Sequence, residues 1–217
     1  MLTDQVLGVF SMGRRSGGNR YKRIPVEERK TQILEEATLL ISDLGFRGFT
    51  LRDVANECGI TEGGVLYHFK SKDELLISVL DYRDKVDRMM LCESLGIEKL
   101  EGDPFPVGLR ELSITTCRLN VDRPEIVRLY MVLQGEALGE DHPAWRYMQD
   151  REQWVLNEYR QAAARDGVDE PESTAIEVLS AMDGLQLRWL RSNKTLDMPG
   201  LWQRLIDRII PSEGSAV

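Results

Sequence analysis

Apolar residues recur every three or four positions along most of this chain, the spacing of helices that bury one face. Ile33, Leu34, Ala37, Leu40, Ile41 and Leu44 make one such stripe. It predicts a helix from Pro25, a favourable first-turn residue, to Gly45. The stripe should pack over the elements that follow, with Phe46 and Phe49 closing the corner and Glu35 and Glu36 facing water. Residues 50–76, TLRDVANECGITEGGVLYHFKSKDELL, then read as three short helices, each with its own start signal. Thr50 and Asp53 form a capping-box-like pair, with Phe49 and Val54 placed as a hydrophobic staple. Cys58 and Gly59 end that helix, because glycine supplies the left-handed conformation after a last turn. Thr61 caps the next, stapled by Ile60 and Val65, and Ser71 with Glu74 makes a full capping box for a helix running past Met90. Leu66 and Phe69 are expected in the core. A short helix, a tight glycine turn and a second short helix make a helix-turn-helix, whose second helix can enter the DNA major groove.

Beyond Met90 the helical pattern continues with regular breaks. Asp103-Pro104 opens a helix, and breaks follow at 120–124, 139–143, 165–171 and 192–199. Pro124, Pro143, Pro171 and Pro199 stand at opening turns, and Pro211 ends the last helix. No stretch alternates with period two, and there is no internal repeat and no Rossmann or P-loop glycine pattern. The expected fold is all-α, with about nine helices: a small N-terminal helix-turn-helix DNA-binding domain and a larger C-terminal helical bundle. The expected boundaries are a basic, flexible arm at 1–23, a DNA-binding domain at 24–80, and the C-terminal helical domain at 81–217.

The segment GITEGGVLYHFKSKDELL, preceded by TLRDVANECG and by a helix ending LLISDLGFRGFT, resembles the DNA-binding domain of the tetracycline-repressor (TetR) family over residues 28–80. The resemblance implies a homodimeric repressor with a ligand-binding and dimerisation domain at 81–217, released from DNA when a small molecule alters the separation of its two recognition helices. It also implies that Thr50, Thr61, Tyr67, His68 and Lys72 hold the DNA backbone. Many members have Tyr two places before the His; here that place is Leu66, and the adjacent Tyr67 carries the aromatic ring.

The residues agree with that chemistry. Hydroxyls donate to phosphate oxygens, and a lysine in an opening helical turn adds charge beside free N–H groups. Gly63 and Gly64 stand in the first turn of the recognition helix, where each weakens it by up to ~1 kcal/mol relative to alanine. Their missing side chains would let the backbone approach a phosphate. Arg52, Glu62 and Tyr67 are the remaining candidates to read bases. His68 has two readings, a DNA contact or a ring packed between helices.

In the second half, AMDGLQLRWL (residues 181–190) resembles the penultimate helix of the family, which with the last helix makes a four-helix dimer bundle. Ala175, Leu179, Met182, Gln186 and Trp189 share one face, and Leu201, Leu205, Ile206 and Ile209 share a face of the last helix. Gly184 would allow close helix approach. Leu179, Met182, Gln186, Trp189, Leu205 and Ile209 are therefore expected at a dimer interface; the other reading is that they fill the protomer core. A two-fold dimer would read a palindrome with half-sites about 34–36 Å apart. Met89, Met90, Cys117, Tyr130, Met131, Gln134, Trp145, Met148 and Trp154 are candidates for an effector pocket, Trp145 and Gln134 foremost, and suggest a mainly apolar small molecule.

Charge refines this picture. The net charge of −8 is unevenly spread: residues 1–80 hold eleven basic and eleven acidic groups, and the rest holds 17 basic and 25 acidic. Arg14, Arg15, Arg20, Lys22, Arg23, Arg29 and Lys30 precede the helix-turn-helix with only two acidic residues among them. The acidic part would face away from DNA, and the first five would form an arm able to reach the minor groove, or else a plain tail. No run approaches the roughly 18 apolar residues of a membrane span. The start lacks a basic region ahead of its apolar stretch, so it makes a poor signal peptide, and Met12 is an alternative start. Cys58, Cys92 and Cys117 lie far apart, which fits reduced thiols in the cytoplasm. His68 and His142 are the only histidines, and Glu140, Asp141 and His142 cannot easily face one ion, so no metal, no cofactor and no enzyme activity is expected. The rival reading is a DNA-bound factor of the same fold, independent of any ligand, that works through a protein partner.

Overall fold

A computed structural model of the protein describes residues 24–98 and 104–210. The expected arm, with Arg14, Arg15, Arg20, Lys22 and Arg23, lies outside the described residues, as do Asp103 and Pro211. Among the described residues there are nine helices and no strand. They are α1 (Val26–Gly48), α2 (Leu51–Glu57), α3 (Glu62–His68), α4 (Lys72–Ser94), α5 (Leu109–Val121), α6 (Pro124–Glu136), α7 (Trp145–Arg165), α8 (Pro171–Arg191) and α9 (Met198–Ile209).

The start signals act with small differences. Pro25 caps α1 in an extended conformation instead of occupying its first turn. Pro124, Pro171 and Pro199 do stand in the opening turns of α6, α8 and α9. Pro143 instead precedes the Ala144 cap of α7, and Pro104 does not open α5, which starts after Gly108. Ser71 caps α4, but the Glu74 carboxylate accepts from the amide of Lys70 and not from that of Ser71, so the box is shifted by one residue.

Two apolar cores result. The first gathers α1 to α4 around Ile33, Ala37, Ile41, Phe49, Val54, Val65 and Phe69, and continues into α6 and α7 through Leu129, Leu133 and Met148. The second joins α5, α7, α8 and α9 around Leu109, Val178, Met182, Trp189, Trp202 and Ile206. α1 lies along α6. Its buried face is rotated from the expected stripe: Leu44 is 52% exposed and Leu40 half-buried, while Thr38 and Ser42 are buried instead. Those hydroxyls are satisfied within the helix, donating to the carbonyls of Leu34 at 2.7 Å and Leu39 at 2.9 Å, which makes their burial tolerable. Glu35 and Glu36 are also less exposed than expected. Glu35 accepts from the Tyr82 hydroxyl, and partial burial pushes the Glu36 carboxyl up, helped by the negative charges of Glu57 and Glu35.

Polar groups on α4 tie it to α1, α6 and α7. Arg83 donates to Thr38 on α1 at 3.1 Å. The next residue, Asp84, accepts from Tyr130 of α6 at 2.7 Å and from Tyr147 and Arg151 of α7, each at 2.8 Å. At the far end of α1, Gly45 breaks the helix at φ 71°. The Phe46 amide beyond it donates to the Glu136 carboxylate of α6 at 2.8 Å. His142 packs edge-on to Phe46 with centroids 5.2 Å apart.

A Cβ at Gly45 would strike the Glu136 carboxylate and would hold a positive φ. Gly45→Ala is therefore expected to lower stability by about 1–3 kcal/mol, whereas Leu44→Ala, one residue earlier on the exposed flank, costs less than ~1 kcal/mol. Paired thermal melts of the two variants check this.

Candidate DNA-reading surface and effector cavity

The helix-turn-helix is fixed from both of its caps. The Thr50 hydroxyl accepts from the Asp53 amide at 3.2 Å, and the Asp53 carboxylate accepts from the Thr50 amide at 2.7 Å, a complete capping box. Hydrogen bonds donated to the Asp53 carboxylate by the Thr50 hydroxyl, at 2.7 Å, and by the Thr50 amide hold this carboxyl below its ordinary range. Cys58 ends α2 and Gly59 turns the chain at φ 64°. Arg29 of α1 donates to the Cys58 carbonyl at 3.2 Å and so braces this turn. Thr61 caps α3 by accepting from the Gly64 amide at 3.2 Å.

Val65 and Phe69 root α3 in the first core. Its opposite face carries Thr61, Glu62, Gly63, Leu66 and Tyr67, all exposed, with Arg52 exposed on α2. Tyr67 is the most prominent at 77% exposure. Leu66 was expected in the core and is instead 41% exposed, because Val65 and Phe69, one turn apart, take the inward positions of this two-turn helix. His68 is half-buried and its ring meets Tyr67 edge-on at 5.1 Å. Burial, then the nearby charges of Arg29 and Lys30, lowers its pKa, so the imidazole is neutral at ordinary pH. Lys72 sits differently from a simple phosphate clamp. Its ammonium lies over the rings of Phe46 at 4.6 Å and Phe49 at 4.4 Å, and partial burial pulls its pKa down.

Gly63 and Gly64 differ in what the protomer asks of them. A Cβ at Gly63 would meet nothing nearer than the Thr61 hydroxyl at 3.8 Å, whereas one at Gly64 would press on Ile60 at 3.3 Å. Internal packing therefore does not require glycine at 63.

Residues 33–79 match the family described as "Bacterial regulatory proteins, tetR family". The match places the DNA-binding module of the TetR family in the first part of the chain. The chain is 41% identical across 86 residues to the HTH-type transcriptional repressor KstR2 of Mycobacterium tuberculosis, a match covering 36% of this chain and 41% of that protein. The chain thus spans less than half of that relative. A longer and weaker match joins it to the HTH-type transcriptional regulator TtgR of Pseudomonas putida, 24% identical over 192 residues, 83% of this chain and 89% of that one. The fold is shared with AibR, solved in complex with isovaleryl coenzyme A and operator DNA, at a TM-score of 0.62 and 21% identity over 85% of this chain and 99% of that one. Leu51–Glu57 and Glu62–His68 are thus the helix-turn-helix of a TetR-type DNA-binding module.

A cavity of about 160 Å³ lies between α4, α5, α6, α7 and α8. Of the expected effector residues, Tyr130, Met131, Gln134 and Trp154 line it. Met89 is 48% exposed on α4, Cys117 is buried in the second core, Met148 belongs to the first core, and Met90 and Trp145 also lie off the wall. The sequence reading missed the charged part of the wall: Asp84, Asp87, Arg88, Arg123, Arg151, Glu158 and Asp183. Asp183 was discoverable, since it interrupts the apolar run AMDGLQL at a position adjoining the inward Met182.

The expected dimer set is divided. Met182, Gln186 and Trp189, with Ala175, are buried within the protomer, and Leu179 lines the cavity. They were assigned to a dimer face because their spacing marks an apolar stripe, and a stripe alone does not say which neighbour covers it. Leu205 and Ile209 are half-buried, and the exposed apolar residues of α8 are Ile176 and Leu187. Gly184 has open space where a Cβ would stand. Among the described residues, no helix is long and apolar enough to cross a membrane.

Two predictions follow from this geometry. Gly63→Ala is expected to leave the fold intact, or up to ~1 kcal/mol more stable, while weakening DNA binding at least tenfold; melting and DNA titration of one preparation separate the effects. Burial raises the Asp183 carboxyl to about 6, well above its ordinary 3.8. The folded state thus binds this proton more tightly than the unfolded chain does, and the charged form costs stability above pH 6, a cost that fades as pH falls toward 4. Asp183→Asn should stabilise the protein by roughly 1–3 kcal/mol at pH 7.5 and progressively less toward pH 4, as read from denaturant melts at several pH values.

Proposed function

We propose that this protein is a homodimeric, ligand-responsive repressor that acts in the cytoplasm. Residues 24–80 bind a palindromic operator, and residues 81–217 bind the effector and the second copy. Arg52, Glu62 and Tyr67 read bases. Thr50, Thr61, Gly63, Gly64, His68 and the opening turn of α4 at Lys72 hold phosphates, and the basic arm ahead of Ile24 adds charge. The outer faces of α8 and α9, with Ile176, Leu187, Leu205 and Ile209, form the dimer contact.

One observation carries the ligand-responsive part. The cavity wall includes Asp84, Asp87, Arg88 and Leu91 of α4, the helix that begins beside the recognition helix, and Tyr130 and Gln134 of α6, the helix on which α1 rests. A molecule that fills the cavity bears on both helices that hold the DNA-reading module. It can shift the DNA-competent arrangement only by its difference in affinity for the two states. The open cavity also weighs against a ligand-independent factor, which would have a filled core there.

The test is fluorescence anisotropy with the DNA upstream of the protein's own gene, across a salt series. Nanomolar binding to one palindromic segment, weakening steeply as salt rises, is the expected result. Equally weak binding to every segment and to scrambled DNA would contradict operator recognition.

A further inference from the structure

The cavity wall is not electrically balanced. Its three arginines already hold carboxylates: Arg151 donates to Asp84 at 2.8 Å, Arg123 to Asp87 at 2.5 Å, and Arg88 pairs with Glu158 at 3.4 Å. The fourth carboxylate, Asp183 on α8, pairs with none of them. Its nearest partner is the side-chain amide of Gln134, at a long 3.5 Å. Charged groups reach it from one neighbouring helix, α7: Arg151, committed to Asp84, and Glu152, of like sign; Tyr159 of α7 faces it as well. A largely desolvated charge without an opposite charge of its own is costly, and the wall leaves Asp183 only the long bond from Gln134 and the committed Arg151. The rest of the cavity surface is mostly apolar and includes Leu179, Met182, Met131 and Val155. An anionic effector would have to displace one of the three internal ion pairs. A cationic one would find a carboxylate already waiting.

We propose that the effector carries one cationic nitrogen on an apolar body, and that Asp183 is the group that receives the charge. This rests on the reading of the cavity as an effector site. Arg88 lies over the Trp154 ring at 5.5 Å and the Phe105 ring at 4.9 Å, so those aromatic faces are already occupied by a cation. The carboxylate, and not an aromatic box, therefore supplies the recognition. Gln134 moves from a weak partner of Asp183 to a second hydrogen-bonding group for the ligand.

The experiment uses the full chain and a series of phenylalkylamines with two to six methylenes, each matched by its alcohol and its carboxylate. Binding is followed by tryptophan fluorescence and DNA release by anisotropy. At pH 7.5 the best amine should bind at least tenfold more tightly than its alcohol, with the carboxylate weakest. Asp183→Asn should bring the amine to the level of the alcohol and leave the alcohol unchanged. The trimethylammonium derivative, whose charge is independent of pH, should bind about tenfold more weakly at pH 5 than at pH 7.5, because Asp183 is then mostly protonated. If alcohols bind and release DNA but amines gain nothing, the cation assignment falls and the effector cavity stands. If Asp183→Asn weakens amine and alcohol equally, the carboxylate is structural and the proposal is overturned. If no member of the series binds or alters DNA affinity, both readings fail.

Discussion

The seam between α1 and α6 holds the DNA-reading module in place. Ile33, Ala37 and Ile41 on one side and Leu129 and Leu133 on the other are buried in one continuous core. The Phe46 amide, released from helical bonding where Gly45 breaks α1, finds its acceptor in the Glu136 carboxylate at the end of α6. That carboxylate occupies the space a side chain at 45 would need. The position of the helix-turn-helix is therefore set by a helix of the second half, and a displacement of α6 must either carry α1 with it or break this contact.

α4 is the second strut. It begins at Ser71, next to the recognition helix, and reaches the cavity within four turns. Asp84 gathers three donors from α6 and α7, while Arg83, one residue earlier, reaches Thr38 on α1. A buried network of this kind has few intermediate arrangements: its members are all satisfied, or one is left unpaired at a cost of about 1–3 kcal/mol. That is the physical basis for expecting a discrete response to a ligand.

Much of the first half was legible in the sequence because its signals are local. A cap at Thr50, a glycine at 59, a cap at Thr61 and a cap at Ser71 each act within four residues, and each lies where the sequence placed it. Misreadings arose where a position has two helical neighbours. Leu44 and Leu66 obey an apolar period yet face solvent, since the period does not say where along the helix its partner ends. The stripe of Met182, Gln186 and Trp189 was real but is covered by its own protomer. The charged wall of the cavity was invisible for a related reason. A charged residue on a helix usually means water, and only the three-dimensional pairing of Arg151 with Asp84, or Arg123 with Asp87, reveals an interior.

The central claim is that the cavity and the DNA-reading surface are two faces of one mechanical unit, joined by the α1–α6 seam and by α4. Hydrogen exchange measured on the protein alone and bound to its operator tests this most directly, because coupling is reciprocal and needs no knowledge of the effector. The account predicts altered protection in α2 and α3, at the Phe46 amide, in the last turns of α6 and along the cavity stretch of α4. Changes confined to α1, α2 and α3, with α6 and the cavity stretch of α4 unaltered, would contradict it.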